Sequence, residues 1–242
     1  MVNWILKGEE VTKRFGGLLA LDSVDFRVEK GSITGLIGPN GAGKTTLFNV
    51  VCGVYKPNKG EIYYDGVRIT GYSPHRVCKL GIARTFQLPR PFRRMSVMDN
   101  VSVAAVAMGY SIEDAREKSI EILEFVGLKE KRNLSASSLN LVETRKLELS
   151  RALATDPKLL LMDECLAGLN PTELSEALQL VQKIRDELNI TIFWIEHVMG
   201  AIMNLAENII VLHCGKKIAE GPPKEISRDP NVIEAYLGER RA

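Results

Sequence analysis

Residues 38–46 read GPNGAGKTT, which fits the spacing G-x-x-x-x-G-K-[ST]. Gly38, Gly41 and Gly43, with Pro39, Asn40 and Ala42 between them, allow turns in which successive backbone N–H groups point at one anion. The helix expected to start here adds a partial positive charge at its N-terminus. Lys44 supplies a full charge for β- and γ-phosphates, and Thr45, followed by Thr46, offers a hydroxyl to Mg²⁺. A second group closes the apolar run KLLLMDE. There Asp163 suits the Mg²⁺ shell, and Glu164 suits the orientation or deprotonation of an attacking water. Together the two groups predict cleavage of a nucleoside triphosphate at its terminal phosphate.

Three single residues gain meaning in this company. Gln87, in GIARTFQ, follows an apolar run and suits the metal or the water at the γ-phosphate. His197, in TIFWIEH, follows another and suits a hydrogen bond to the γ-phosphate. Phe15, in TKRFGG, offers an aromatic face to adenine, and fits a core aromatic of an N-terminal sheet equally well.

These residues need elements that stop in the right places. Residues 8–70 alternate short apolar segments with turn signals, and Asp65-Gly66 predicts a tight hairpin. SITGLIG reads as a buried strand and KTTLFNVVCG as the helix after it. Residues 88–150 are richer in helix formers, with Ala115, Ile122, Leu123 and Val126 on one helical stripe. From residue 157 the runs KLLLMDE, ITIFWIEH and NIIVLHCG alternate with helical segments, the pattern of a parallel α/β sheet. The tail GKKIAEGPPKEI and YLGE suggests a closing hairpin and a short helix. The expected organisation is one α/β domain over residues 1–242. Its core comprises 1–87, including an N-terminal antiparallel β sub-domain, and 151–242; a helical sub-domain is inserted at 88–150.

Composition sets the outer limits. The chain has 242 residues, 45% hydrophobic and 26% charged, with a formal net charge of +2, which gives no reason to expect nucleic-acid binding. Cys52, Cys78, Cys165 and Cys214 are too scattered for a metal-ligand pattern and read as reduced thiols. No apolar run approaches membrane-spanning length, so a membrane role has to work through a partner.

The chain resembles the nucleotide-binding subunits of ABC transporters, and among them the ATPase subunits of branched-chain, or hydrophobic, amino-acid importers. The residues that carry the likeness are KRFGGLLALDSVDF, GPNGAGKTTLFNV, GVYKPNKGEI, GIARTFQ, FRRMSVMDNV, LAGLNPTE and IEHVM. The resemblance implies a P-loop NTPase core and a head-to-tail dimer that sandwiches two ATP molecules. It also implies a transmembrane permease touched by the segment after Gln87 and by the helical sub-domain, at the cytoplasmic face of the cell membrane. Arg90, Arg93 and Arg94 read either as solvated surface or as a contact to a permease loop. A soluble ABC-type ATPase and a P-loop phosphotransferase are the alternative functions. The first usually needs a second ATPase domain or long insertions, and the second sits poorly with the set Gln87, Asp163, Glu164 and His197.

Two stretches depart from the family pattern. Asn140, Leu141, Val142 and Glu143, in LNLVE, stand where the family carries LSGGQ, the signature that faces the other chain's γ-phosphate. Asn140 keeps an amide and caps a helix well. Leu141 and Val142 add bulk where glycines allow close approach, and Glu143 brings a negative charge towards phosphates. Cys165 replaces the usual proline after the acidic pair. The expectation is a mixed pair with a second ATPase subunit, preferred to a homodimer.

Overall fold

Short β-branched runs become strands and the longer periodic segments become helices. In the structure, a computed structural model that describes residues 3–237, β1 (Trp4–Phe15) and β2 (Leu18–Glu29) pair antiparallel. β3 (Ile33–Ile37), wholly buried, runs through the phosphate loop into α1 (Lys44–Val51). The chain rejoins the first sheet with β4 (Lys59–Tyr64) and β5 (Val67–Arg68), turning at Asp65 and Gly66, both at positive φ. The strand order of this sheet is β2-β1-β4-β5.

After α2 (Pro74–Lys79), β6 (Ile82–Arg84) enters a second sheet. The chain then leaves it for α3 (Val97–Ala107), α4 (Ile112–Phe125) and α5 (Leu141–Leu153), three helices that pack on one another. In α4, Ala115 and Leu123 are buried and Val126 is the buried C-cap, as the stripe predicts. β7 (Leu159–Asp163), α6 (Pro171–Asp186), β8 (Thr191–Ile195), α7 (Met199–Leu205), β9 (Asn208–His213) and β10 (Lys216–Gly221) complete the sheet. The chain closes on α8 (Pro223–Ile226) and α9 (Pro230–Leu237). Gly238 and Glu239 of the YLGE motif lie outside the described residues. The order of the second sheet is β10-β9-β3-β8-β7-β6, parallel except where β10 runs against β9. The architecture is an α/β P-loop fold with an antiparallel sheet on one side.

Strand periodicity divides the core in two. Ile33, Leu160, Met162, Ile192 and Trp194 face one cluster, packed with residues of α3–α7. Leu36, Leu159, Leu161, Phe193 and Ile195 face the other, with α1 and the antiparallel sheet. Phe193 joins the layers of the second cluster, its ring 6.0 Å from Phe26 and 5.1 Å from Phe48. Phe193→Ala is therefore expected to cost ~3–5 kcal/mol, read as a lower urea midpoint with an unchanged m-value.

Candidate active site

The phosphate loop holds its shape because two of its residues have no room for a side chain. A Cβ on Gly38, at φ 150°, would lie 2.1 Å from the Leu212 carbonyl oxygen. One on Gly43, at φ 105°, would lie 2.6 Å from the Ala20 carbonyl oxygen. Lys44 opens α1 and is 6% exposed. Its Nζ donates to the carbonyls of Gly38, at 2.7 Å, and Pro39, at 3.0 Å. Burial lowers its pKa, and the facing Glu164 and Asp163 oppose that shift.

Strand register brings the acidic residues to the same edge. Leu36 and Asp163 each lie beside Ile195, so the loop after β3, Glu164 after β7 and His197 after β8 emerge together. Glu164 has φ 48°, a left-handed conformation costing a non-glycine residue about 1–3 kcal/mol. Its N–H donates to the Ile195 carbonyl at 2.9 Å, and its carboxylate is held from both sides. Gln87 Nε2 donates to Oε2, and His197 Nε2 lies 2.8 Å from Oε1. Beneath them, the buried carboxylate of Glu196 accepts from the N–H groups of Leu166, at 2.7 Å, and His197, at 3.1 Å. That ties the turns after β7 and β8 together.

The cavity in front of these groups has a volume of about 930 Å³. Asn40, Gly41, Ala42, Gly43, Lys44, Thr45 and Thr46 line it, together with Gln87, Glu164 and His197. Gly38 and Pro39 do not line it; their carbonyls serve Lys44. Phe15 stands at the far wall with Leu18 and Ala20, exposed and edge-on to Tyr55 at 5.1 Å. It lies outside the core, so of its two sequence readings the core aromatic falls away.

Asp163 sits behind the cavity, 2% exposed. Arg84 Nη2 donates to its Oδ2 at 2.7 Å, while Oδ1 is buried without a hydrogen-bond partner among the described residues. Burial pushes the Asp163 carboxyl up, and Arg84 opposes the shift. A buried, unsatisfied carboxylate oxygen is a hard anionic donor of the kind Mg²⁺ takes. The hydroxyl of the cavity-lining Thr45 and the amide oxygen of Gln87 are oxygen donors too. The residues present fit the cation.

The signature positions are elsewhere, at the start of α5. Asn140 Oδ1 accepts from Glu143 N–H at 2.9 Å, and Glu143 Oε2 accepts from Asn140 N–H at 3.1 Å, a reciprocal cap. Glu143 Oε1 takes Lys131, and that bond holds the Glu143 carboxyl below the usual range. The structure turns this carboxylate back onto its own helix, with Lys131 as its counter-charge. Leu141 is 53% exposed, and Val142 borders an apolar pocket between α5 and α6. Cys165 is half-buried, and burial pushes its thiol up. Arg90, Arg93 and Arg94 are exposed.

Sequence reasoning missed Arg84, Glu148, Glu196 and Lys131. The signal for Arg84 was a charge closing an apolar strand three residues before Gln87; for Glu196 it was a carboxylate next to His197. Glu148 of α5 is 6% exposed, and its Oε1 accepts from the Phe86 N–H at 3.2 Å. Burial raises its pKa from 4.5 to about 7, against the pull of Phe86, Arg151, Arg145 and Arg84. A carboxyl raised in the folded state favours folding below its unfolded pKa, and that contribution is lost as pH rises through the folded value. Glu148→Gln is therefore expected to gain stability over the parent as pH rises from 4.5 to about 7, with the difference constant above. Urea melts of both proteins across that range test it; a difference that does not change with pH refutes it.

Residues 21–167 match the ABC transporter family, and residues 216–242 match the family described as branched-chain amino acid ATP-binding cassette transporter. The chain is 40% identical to the high-affinity branched-chain amino acid transport ATP-binding protein BraF of Pseudomonas aeruginosa, over 97% of this chain and 98% of BraF. It is 39% identical to the corresponding protein LivG of Escherichia coli, over 93% of this chain and 94% of LivG. Its fold superposes on a nucleotide-free ATP-binding cassette of an ABC transporter with a TM-score of 0.89, at 34% identity, covering 98% of this chain and 100% of that one. The ADP conformation of another cassette gives 0.88 at 35% identity, covering 98% and 99%. With the phosphate loop, Glu164 and His197 lining one cavity and Asp163 behind it, the chain belongs to the ABC transporter family as an ATP-binding subunit of the branched-chain amino-acid type.

Proposed function

We propose that this chain hydrolyses ATP to power a membrane importer of branched-chain or other hydrophobic amino acids, and that it lies at the cytoplasmic face of the cell membrane through its permease subunits. The observation that carries the hydrolytic reading is Glu164 fixed between Gln87 and His197, at the mouth of the cavity that Lys44 also lines. The transport reading is supported by likeness to BraF and LivG along nearly the whole chain. No helix among the described residues is long and apolar enough to cross a membrane, so coupling falls to a surface. The exposed Phe86, Leu88 and Phe92, beside Arg90, Arg93 and Arg94, form the face offered to the permease.

In this mechanism Phe15 supports the adenine, and backbone N–H groups of residues 40–46 hold the phosphates. Lys44 exchanges the Gly38 and Pro39 carbonyls for β- and γ-phosphate oxygens. Glu164 orients a water for attack on the γ-phosphorus and takes its proton. The bond from that phosphorus to the β–γ bridging oxygen breaks, and ADP leaves with the electron pair. His197 steadies Glu164 and reaches the γ-phosphate. Asp163, Thr45 and Gln87 would hold Mg²⁺, which would supply positive charge against the triphosphate.

The start of α5 favours a mixed pair. Leu141 projects from the first turn, and Glu143 is committed to its own cap. A nucleotide facing Asn140, Leu141 and Val142 meets bulk in place of slim backbone, so this chain's own cavity is completed by a second ATPase subunit with an intact signature.

Lys44→Ala is expected to abolish ATP binding. Glu164→Gln is expected to keep binding and lose at least about 100-fold in phosphate release; unchanged release ends the hydrolytic reading. The mass of Glu164→Gln in ATP and Mg²⁺ separates the assemblies. A monomer that dimerises only on addition of a second ATPase subunit supports the mixed pair, and an ATP-dependent homodimer overturns it.

A further inference from the structure

A buried guanidinium stands behind the carboxylate assigned to the metal. Arg84 is the last residue of β6, in register with Leu161 of β7, so its side chain reaches the end of β7. Its Nη2 donates to Asp163 Oδ2 at 2.7 Å, and its Nη1 donates to Asn49 Oδ1 on α1 at 2.6 Å. The Arg84 and Asp163 side chains are 7% and 3% exposed. The rings of Phe86 and Phe48 lie 5.1 and 5.7 Å from the guanidinium carbon. One planar fork thus spans two elements: α1, which carries Lys44 and Thr45, and β7, which carries Asp163.

A carboxylate with both oxygens free rotates about its terminal torsion, which is broad and roughly two-fold. Occupying Oδ2 fixes that torsion and leaves Oδ1 as the single open oxygen, the atom found buried without a partner. Arginine suits the task because its donors diverge in a rigid plane, whereas lysine offers a point charge on a flexible stem.

We infer that Arg84 is a positioning residue for the divalent cation, holding Asp163 Oδ2 and Asn49 in one plane so that Asp163 Oδ1 keeps a fixed place relative to Thr45. This rests on the reading of the cavity as an ATP–Mg²⁺ site. A purely stabilising ion pair at the same place has a different signature, because its loss weakens nucleotide binding with and without metal alike. Loss of a positioning group removes only the metal-dependent part.

The test is the affinity of the full chain for a fluorescent ATP analogue, measured in EDTA and then along a Mg²⁺ titration, for the parent, Arg84→Met, Arg84→Lys and Asn49→Ala. The expected result is equal binding in EDTA, with the Mg²⁺ half-saturation point raised about tenfold or more in Arg84→Met. Arg84→Lys, which keeps the charge and loses the fork, is expected to recover part of that loss. Asn49→Ala leaves the ion pair intact and frees its second arm, so it is expected to shift in the same direction by less. It carries the test if Arg84→Met does not fold. Parental Mg²⁺ dependence in Arg84→Met, or in Asn49→Ala where that variant carries the test, overturns the inference, as does equal weakening with and without metal. A parent whose nucleotide affinity ignores Mg²⁺ instead overturns the ATP–Mg²⁺ reading beneath it.

Discussion

The hydrogen-bonded register of β3, β8 and β7 is the constraint on which the rest depends. With Leu36 and Asp163 both opposite Ile195, three strands end at one level, and Asp163, Glu164, His197 and the phosphate loop lie on that line or just beyond it. A slip of one residue would turn each strand over. Asp163 would leave Arg84, Phe193 would leave the aromatic contact with Phe26 and Phe48, and the two core clusters would exchange members. The apolar side chains that alternate between those clusters therefore hold the catalytic level as well as the fold. Glu164 in its left-handed conformation shows the cost of that arrangement. The strain sits at the first residue beyond the fixed strand, balanced by the Ile195 carbonyl below it and by the two partners of its carboxylate.

Much of this was legible in the sequence, and the legible parts share a property. The phosphate loop, the acidic pair, the Asp65-Gly66 turn and the alternating strands are local; each is specified by residues within about ten positions of one another. The parts that escaped are pairings across distance. Arg84 meets Asn49 across 35 positions and Asp163 across 79, and no local pattern announces that a charge closing a strand will be buried against another. Glu148 is hidden in the same way: on a helix of mixed composition its carboxylate looks solvated, and only the approach of the Phe86 backbone puts it inside. Glu143 is legible as a charge at the start of a helix, but its pairing with Lys131, twelve residues earlier, is not.

The electrostatics of the site follow from uneven burial. Asp163, Glu196 and Glu148 are all nearly inaccessible, and burial drives each of their pKa values upward. Each is met differently: Asp163 by a guanidinium, Glu196 by backbone N–H groups, Glu148 by one N–H and a surround of arginines. Glu164, which lines the cavity, is held by neutral or weakly basic partners. The three buried carboxylates are thus held by charged groups or backbone donors, and the one assigned to proton transfer is held by Gln87 and His197.

The wall of the cavity formed by Phe15, Leu18 and Ala20 belongs to the antiparallel sheet, yet it is fastened to the phosphate loop. Ala20 packs on Gly43, Gly215 donates to the Ala42 carbonyl, and Asp22 donates to the Gly215 carbonyl. The end of the cavity that would take a base and the end that takes phosphates therefore ride on one rigid piece, like the fixed jaw of a caliper. Gln87 stands opposite, at the root of the segment leading to α3–α5, and donates to the Glu164 carboxylate. In the proposed mechanism those helices meet the nucleotide through Gln87, beside Glu164 and His197. Under that mechanism a nucleotide shorter by one phosphate would give Gln87 nothing to meet, and the length of the phosphate chain would be the quantity the helical lobe reads.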